Sequence, residues 1–377
     1  MKLRPTIFQA ACILAILHPA FAISQSPQQV DASSTSCRGC SITLVKVATL
    51  GSADDDALPA LAYNFVPSTN SKGEYFIPNL GLDKVVVYGR SGKLLRTIGR
   101  KGEGPGEYQA ILHAETGADD SLFILSIGRL TVYSGVFSLV RTVPLAFTGY
   151  GAFIGLPSGD FVLDAGSANT APQPLKFVSA AGKVTPVGPA VNVTAARCGR
   201  CPAYVVARAG SKGQFWTAGP NTYLIERRSA KGELLQQLQV ANSKWFRNWS
   251  RAAPGNRELP PPTILHSLKE DVDGLLWALG NGPSPKWRPM PYMGETSTTG
   301  RARSNIPAGG AVAGVDYLER IYTVVEVIDP MNARLVVSTT FTGRRLKMVA
   351  PGLLAEPRED ANGIGVLDIF RAEIKKP

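Results

Sequence analysis

The sequence predicts an all-β protein, a six-bladed β-propeller closed by an N-terminal strand. Three observations carry this. Helical periodicity is nearly absent, and 38 glycines and 28 prolines punctuate the 377 residues. Short runs rich in β-branched and aromatic residues recur between turn signals, as strands do. One turn-and-strand unit returns six times at a drifting spacing of about 40 to 50 residues, the mark of propeller blades with excess length placed in loops.

The chain opens with a leader. MKLRPTIFQAACILAILHPAFA carries Lys2 and Arg4, an apolar run from Ile7 to Leu17, and Ala20-Phe21-Ala22 as a small-x-small cleavage site. These are the three parts of a secretory signal peptide, and the apolar run is too short for a stop-transfer helix. Residues 1–22 are therefore read as a signal peptide, and the mature chain as exported to the periplasm or beyond, with no membrane span. Cys12 leaves with the leader. So do two of the 40 basic residues, which lowers the formal charge from +11 to +9. The excess is dispersed, as in Arg227-Arg228 and Arg344-Arg345, rather than gathered in a block. A dispersed basic surface suits solubility and weak attraction to anionic envelope polymers, and argues against nucleic acid as a partner.

Residues 23–40 form an N-terminal segment that ends in Cys37-Arg38-Gly39-Cys40. Residues 41–377 form the propeller. The first halves of its units read SKGEYFI at Ser71, ADDSLFIL at Ala118, PSGDFVL at Pro157, SKGQFWT at Ser211, DVDGLLWAL at Asp271 and APGLLAE at Ala350. The second halves begin at Lys84, Arg129, Pro174, Tyr223, Val324 and Gly365. The sixth unit has no return strand before Pro377. An incomplete last blade would leave an open sheet edge, which proteins cover. SITLVKVATLG, residues 41–51, alternates as a strand should and is assigned to that edge.

IGRKGEGPGEYQ, from Ile98 to Gln109, joins the first unit to the second. Its glycines suggest a phosphate cradle, but Glu107 stands where a dinucleotide loop needs glycine, and the Gly-Lys-Ser/Thr ending of a P-loop is absent. Glu103 and Glu107 would also repel phosphate. A structural corner fits better: Gly102, Gly104 and Gly106 permit positive φ, Pro105 stiffens the path, and Glu107 can accept backbone N–H bonds.

GRKGEGPGEY, the CRGC segment ahead of the VATLG strand, and the repeated units together resemble the secreted bacterial six-bladed β-propellers related to NHL repeats. The resemblance spans roughly Cys37 to Ile374 and is most specific at Gly99 to Tyr108. It implies the fold. It says little about function, because scaffolds, receptors, lactonases and lyases all use that fold.

Four cysteines remain in the mature chain, as Cys37/Cys40 and Cys198/Cys201. Two Cys-x-x-Cys pairs can hold a structural zinc, whereas export favours disulfides. The blade assignment separates the pairs around the ring, so Cys37–Cys40 and Cys198–Cys201 are expected, with crossed, zinc-bound and reduced forms as alternatives. His113 and His266 are the histidines outside the leader, so a three-histidine zinc site cannot be built. Each is read first as a packed side chain, with a channel-facing position as the alternative for His266. Glu115, Asp164, Asn221 and Asp271 are candidates for calcium in the channel, although acids after polar turns are ordinary punctuation in such repeats.

Two inserts carry binding-type residues. Residues 242–262 contain Trp245, Trp249 and Arg251; residues 280–312 contain Trp287, Arg288 and Tyr292. Trp, Tyr and Arg dominate binding hot spots, and functional loops project from rigid scaffolds. The expectation is a monomeric, non-catalytic binding module for a protein, peptide or envelope glycan, needing no cofactor. A calcium-dependent hydrolase or lactonase acting in the channel is the rival.

Overall fold

The computed structural model describes residues 26–52, 66–79, 82–145, 153–164, 175–187, 205–209, 213–219, 222–247, 260, 262–287, 321–362 and 364–377. Those residues are all-β, with no helix among them. Two strands precede the repeats, β1 (Gln28–Asp31) and β2 (Ser41–Leu50). The first four-stranded antiparallel unit is β3 (Ser68–Thr69), β4 (Tyr75–Asn79), β5 (Lys84–Tyr88) and β6 (Leu94–Ile98). A short parallel pair, β7 (Arg100–Lys101) and β8 (Glu107–Tyr108), leads into the second unit. That unit is β9 (Ile111–Thr116), β10 (Leu122–Ser126), β11 (Arg129–Tyr133) and β12 (Leu139–Pro144). The third is β13 (Phe153–Gly155), β14 (Phe161–Asp164), β15 (Leu175–Val178) and β16 (Val184–Pro186).

The fourth unit comprises β17 (Val205–Ala209), β18 (Gln214–Ala218), β19 (Leu224–Arg228) and β20 (Leu234–Ala241). The fifth comprises β21 (Ile264–Glu270), β22 (Leu276–Pro283), β23 (Ile321–Asp329) and β24 (Arg334–Thr342). The sixth has three strands of its own, β25 (Lys347–Ala350), β26 (Leu353–Glu359) and β27 (Gly365–Lys375). Its fourth is β2, antiparallel to β27 from Ser41 opposite Lys375 to Leu50 opposite Leu367.

Burial explains the sequence pattern. Both faces of a middle strand lie against neighbouring units, so YFIPN in β4 and LFILS in β10 are buried throughout and read as continuous runs. The outer strand β6 leaves Leu94 to Thr97 exposed. Six apolar cores then link the units in order. Val85 and Phe76 of the first pack with Ile111 and Ile124 of the second. Phe123 of the second meets Phe153 of the third, and Val162 of the third meets Phe215 of the fourth. Trp216 and Leu238 of the fourth share a core with Leu276 and Ile328 of the fifth. Val325 and Val327 of the fifth meet Met348 and Leu354 of the sixth. The sixth returns to the first through Leu367 and Ile369 against Tyr75, Val86 and Tyr88. A ring of sheets closed by such packing is a β-propeller.

One strand has no counterpart in the sequence reading of residues 23–40. β1 runs parallel to β20 over four residues and touches β24 at Asp31 opposite Arg334, merging units four and five into a nine-stranded sheet. Its single apolar side chain, Val30, is fully buried between them. β1 thus covers two edges that would otherwise offer unpaired backbone groups. The second insert also needs correcting. Gly280 to Pro283 belong to β22, paired with β23 from Gly280 opposite Val324 to Pro283 opposite Ile321, so the excursion begins beyond Pro283.

The closure carries a charged clasp. Asp368 on β27 binds Arg358 (2.7 Å), Lys46 of β2 (2.8 Å) and the hydroxyl of Thr49 (2.7 Å). Burial pushes its carboxyl up, but Arg358, Lys46 and Thr49 outweigh burial and hold it at about 2, below the ordinary 3.8. A depressed carboxyl stabilises the fold above its unfolded value, and that stability is lost as pH falls through the folded one. Acid unfolding is therefore expected to steepen between about pH 4 and pH 2. After allowance for screening the contribution is about 1–2 kcal/mol. In Asp368→Asn, urea unfolding should show a lower midpoint at pH 6 and a smaller loss down to pH 2.5; equal losses in both proteins would refute the clasp.

Candidate functional site

The glycine-rich link between units one and two is a filled corner. Gly102 N–H donates to Tyr108 O (3.1 Å), Glu107 N–H to Gly104 O (3.0 Å), and Gly104 N–H to the Glu107 carboxylate (2.9 Å). Arg129 donates to the carbonyls of Glu103 and Glu107 from below. Gly102 has φ +151°, and a Cβ there would overlap the Glu107 carboxylate. The Gly104 N–H and Arg100 hold that carboxyl below its usual range. Glu107 itself sits where an incoming anion would have to sit, so the corner has no room for phosphate.

A pocket of about 1280 Å³ lies between the N-terminal segment and units four and five. Ser33 to Ser36, Arg38 and Cys40 form one wall; Tyr322, Ser338 and Thr340 form the other. Lys244 and Trp245, at the start of the first insert, line it together with Pro283 and Pro285, at the start of the second. Both excursions thus leave the ring at this rim. The wall is tied down by the Cys37–Cys40 disulfide and by backbone bonds from Ser36 to Leu335 (2.8 Å) and Cys37 to Val336 (3.1 Å).

Glu326 lines the same pocket and is 2% exposed. It accepts hydrogen bonds from the Tyr223 hydroxyl (2.6 Å) and from Ser338 (3.0 Å). Burial pushes its carboxyl up against the opposing pull of Tyr223, Trp245 and Ser338. The same burial, with the nearby carboxylate, raises the Tyr223 hydroxyl well above its usual value. An acid in the middle of the apolar run IYTVVEVI was the signal for this site, and the sequence reading did not use it.

The inner strands hold a second set of charges. Lys269 of β21 reaches Glu115 of β9 at 3.2 Å, a contact between the units that hold these two strands. The register shift between Leu265 and Ser267 leaves His266 outside the β21–β22 ladder. Protein surrounds much of His266, yet its own surface is exposed. Burial, then Arg345 and Lys347, lower its imidazole to about 4. His113 stands on β9 two residues before Glu115.

Among the described residues, the proposed calcium ligands do not converge. Glu115 is engaged by Lys269, and Asp164 is buried on β14. Asp271 caps its own turn through the N–H groups of Asp273 and Leu275 and the Trp277 indole. Asn221 lies outside the described residues, as do Cys198, Cys201, Trp249, Arg251, Arg288, Tyr292 and the leader. Among the described residues, no group of three or more His, Cys, Asp or Glu could hold a metal ion. Trp287 is half-buried. Trp245 must be reassigned: it is 6% exposed and packs on Tyr223 and Phe246, so it cannot serve as an exposed anchor.

The closed ring of sheets defines the chain as a β-propeller. No family model and no curated protein matches the chain. Among solved structures it is similar to a member of the DUF4221 family from Bacteroides vulgatus, at 12% identity and TM-score 0.58, over 89% of this chain and 99% of that one. It is also similar to a protein from Bacteroides fragilis described as exported, at 10% identity and TM-score 0.54, over 93% and 99% of the two chains. At such identities the likeness is one of fold. Among the described residues, no helix is long and apolar enough to cross a membrane.

Proposed function

We propose that the chain is an exported six-bladed propeller of the NHL-related kind, acting as a monomeric binding module for a protein, peptide or glycan of the cell envelope. The observation that carries this is the rim pocket. At about 1280 Å³ it exceeds the roughly 300–1,000 Å³ typical of small-molecule sites, and so suits a stretch of polymer better than a metabolite. Its lining pairs the Tyr322 ring with hydroxyls of Ser33, Ser34, Ser36, Thr340 and Thr342 and the cations Arg38 and Lys244. An aromatic face beside many hydrogen-bonding groups suits a sugar ring or a peptide backbone, and the cations suit carboxylates along either. Binding without chemistry is favoured because Glu326 is already committed to Tyr223 and Ser338.

The test is affinity of the mature chain for envelope glycan fragments and for peptides, measured by calorimetry with Tyr322→Ala and Lys244→Ala. Loss of a central aromatic contact is expected to weaken binding by about tenfold or more, and loss of a rim cation by less. Wild-type affinity in both variants would overturn the pocket as the site.

A further inference from the structure

We propose that the ligand of the rim pocket is an acidic glycan, a chain of sugars bearing carboxylates, which Tyr322 holds by stacking and Arg38 and Lys244 select by charge. This rests on the pocket reading above and names the class of ligand. The platform is built by two paired strands. Tyr322 on β23 stands opposite Gly282 on β22, and a Cβ at Gly282 would lie 2.5 Å from the Tyr322 hydroxyl oxygen and 2.6 Å from Cζ. The glycine therefore lets the ring lie down on the neighbouring strand. The ring is half-buried and borders the pocket. An aromatic face backed by a strand suits the C–H face of a sugar ring. Around it, Ser33, Ser34 and Ser36 on one wall and Thr340 and Thr342 on the other offer hydroxyls, which both donate and accept as sugar hydroxyls do.

The charges decide the class. Two acids line the pocket, and both are committed. Asp31 accepts from the N–H (3.0 Å) and hydroxyl (2.9 Å) of Ser33 and from Asn242 (3.1 Å), and Glu326 accepts from Tyr223 and Ser338. Of the three lining cations, Arg334 is paired with Asp329 (3.3 Å), whereas Arg38 and Lys244 have no acidic partner among the described residues. These two come from different elements. Arg38 stands in the turn closed by the Cys37–Cys40 disulfide and by the bond from the Cys40 N–H to the Cys37 carbonyl (3.2 Å); Lys244 follows β20. The uncompensated charge of the pocket is thus positive and is offered from two sides. Arg247 adds to it, since it opposes the rise that burial gives the Tyr322 hydroxyl.

A peptide fits this pocket less well than a glycan. Extended peptides are commonly held by adding a strand to a free sheet edge. Here β1 occupies the edge of β20 and meets β24 at Arg334, and the N–H groups of Ser36 and Cys37 take the carbonyls of Leu335 and Val336. The backbone groups that would hold a peptide are already paired where the pocket meets the sheet. What remains for a ligand is hydroxyls, one aromatic platform and two cations.

The experiment is calorimetry of the full chain with hexagalacturonate, with its methyl ester, in which every carboxylate is masked, and with a hexaglutamate peptide. The expected result is binding of both sugars with an acid-over-ester preference of about tenfold at low salt, since each exposed ion pair contributes up to about fivefold. Added salt should shrink the preference by screening. It should fall in Arg38→Gln and in Lys244→Gln, vanish in the double variant, and persist in Arg38→Lys, which keeps the charge and controls for folding. Tyr322→Ala should weaken acid and ester alike. Equal affinity for acid and ester, or a preference that survives in the double variant, would overturn the acidic class while the pocket reading stands. Binding of hexaglutamate without either sugar would overturn the glycan and place a peptide in the same pocket. Binding of none of the three would overturn this inference and the pocket reading together.

Discussion

A chain that starts at residue 53, lacking β1 and β2, is expected not to form a stable ring. β2 supplies the fourth strand of the sixth unit, and its side chains belong to two cores: Ile42 to the one shared by units five and six, Ala48 and Leu50 to the one shared by units six and one. Burying a large aliphatic side chain contributes about 1.5–3 kcal/mol. Ile42 and Leu50 alone therefore account for about 3–6 kcal/mol, before the strand's backbone bonds, the Asp368 clasp and the buried Val30 of β1 are considered. That is a large part of the roughly 5–15 kcal/mol by which native proteins are stable. Calorimetry should show loss of the cooperative transition, and near-ultraviolet circular dichroism should show loss of fixed aromatic packing. A synthetic peptide of residues 41–51 should restore part of both, because strand addition to an open edge uses the same backbone bonds. Cooperative melting of the truncated chain within a few degrees of the intact one would refute the closure.

Residues 41–51 were legible because an alternating strand with no unit of its own stood at one end and a unit lacking a strand stood at the other. The middle strands were legible for a different reason. Burial on both faces writes them as unbroken apolar runs, as in KVVVY and LFILS. β1 was not legible. QQVD offers one apolar residue among polar ones, and its pairing with β20 and β24 is decided by where two blade edges end in space. The sites divide in the same way. Local chemistry disclosed the Glu107 corner and the Cys37–Cys40 bridge, whose partners lie within a few residues. The Lys269–Glu115 pair spans 154 positions and the Tyr223–Glu326 bond 103, so only the ring brings them together. Residue type misled at Trp245, since the indole that makes a hot spot also makes a core.

Trp245→Ala accordingly has an expected effect on stability rather than on partner contact alone. The indole packs edge-on against Tyr223 (5.7 Å between centroids) and Phe246 (5.2 Å) and closes the core between units four and five. Its seat depends on Gly280, where a Cβ would stand 2.1 Å from the ring. Truncating a buried tryptophan to alanine costs about 3–5 kcal/mol. At roughly 2–4 °C per kcal/mol for a large domain, the midpoint should fall by about 10 °C. Gly280→Ala should also destabilise the fold, by forcing the ring from its place. The two effects must interact: once the indole is gone, a methyl group at position 280 keeps only its close contact with the Ile264 carbonyl (2.9 Å), so the double variant should be more stable than the sum of the singles predicts. Additive losses would mean that Gly280 and Trp245 act independently. A Trp245→Ala protein that melts with the wild type yet no longer holds its partner would return the indole to the binding surface, and Glu326 would then lose the apolar cover that keeps its carboxyl raised.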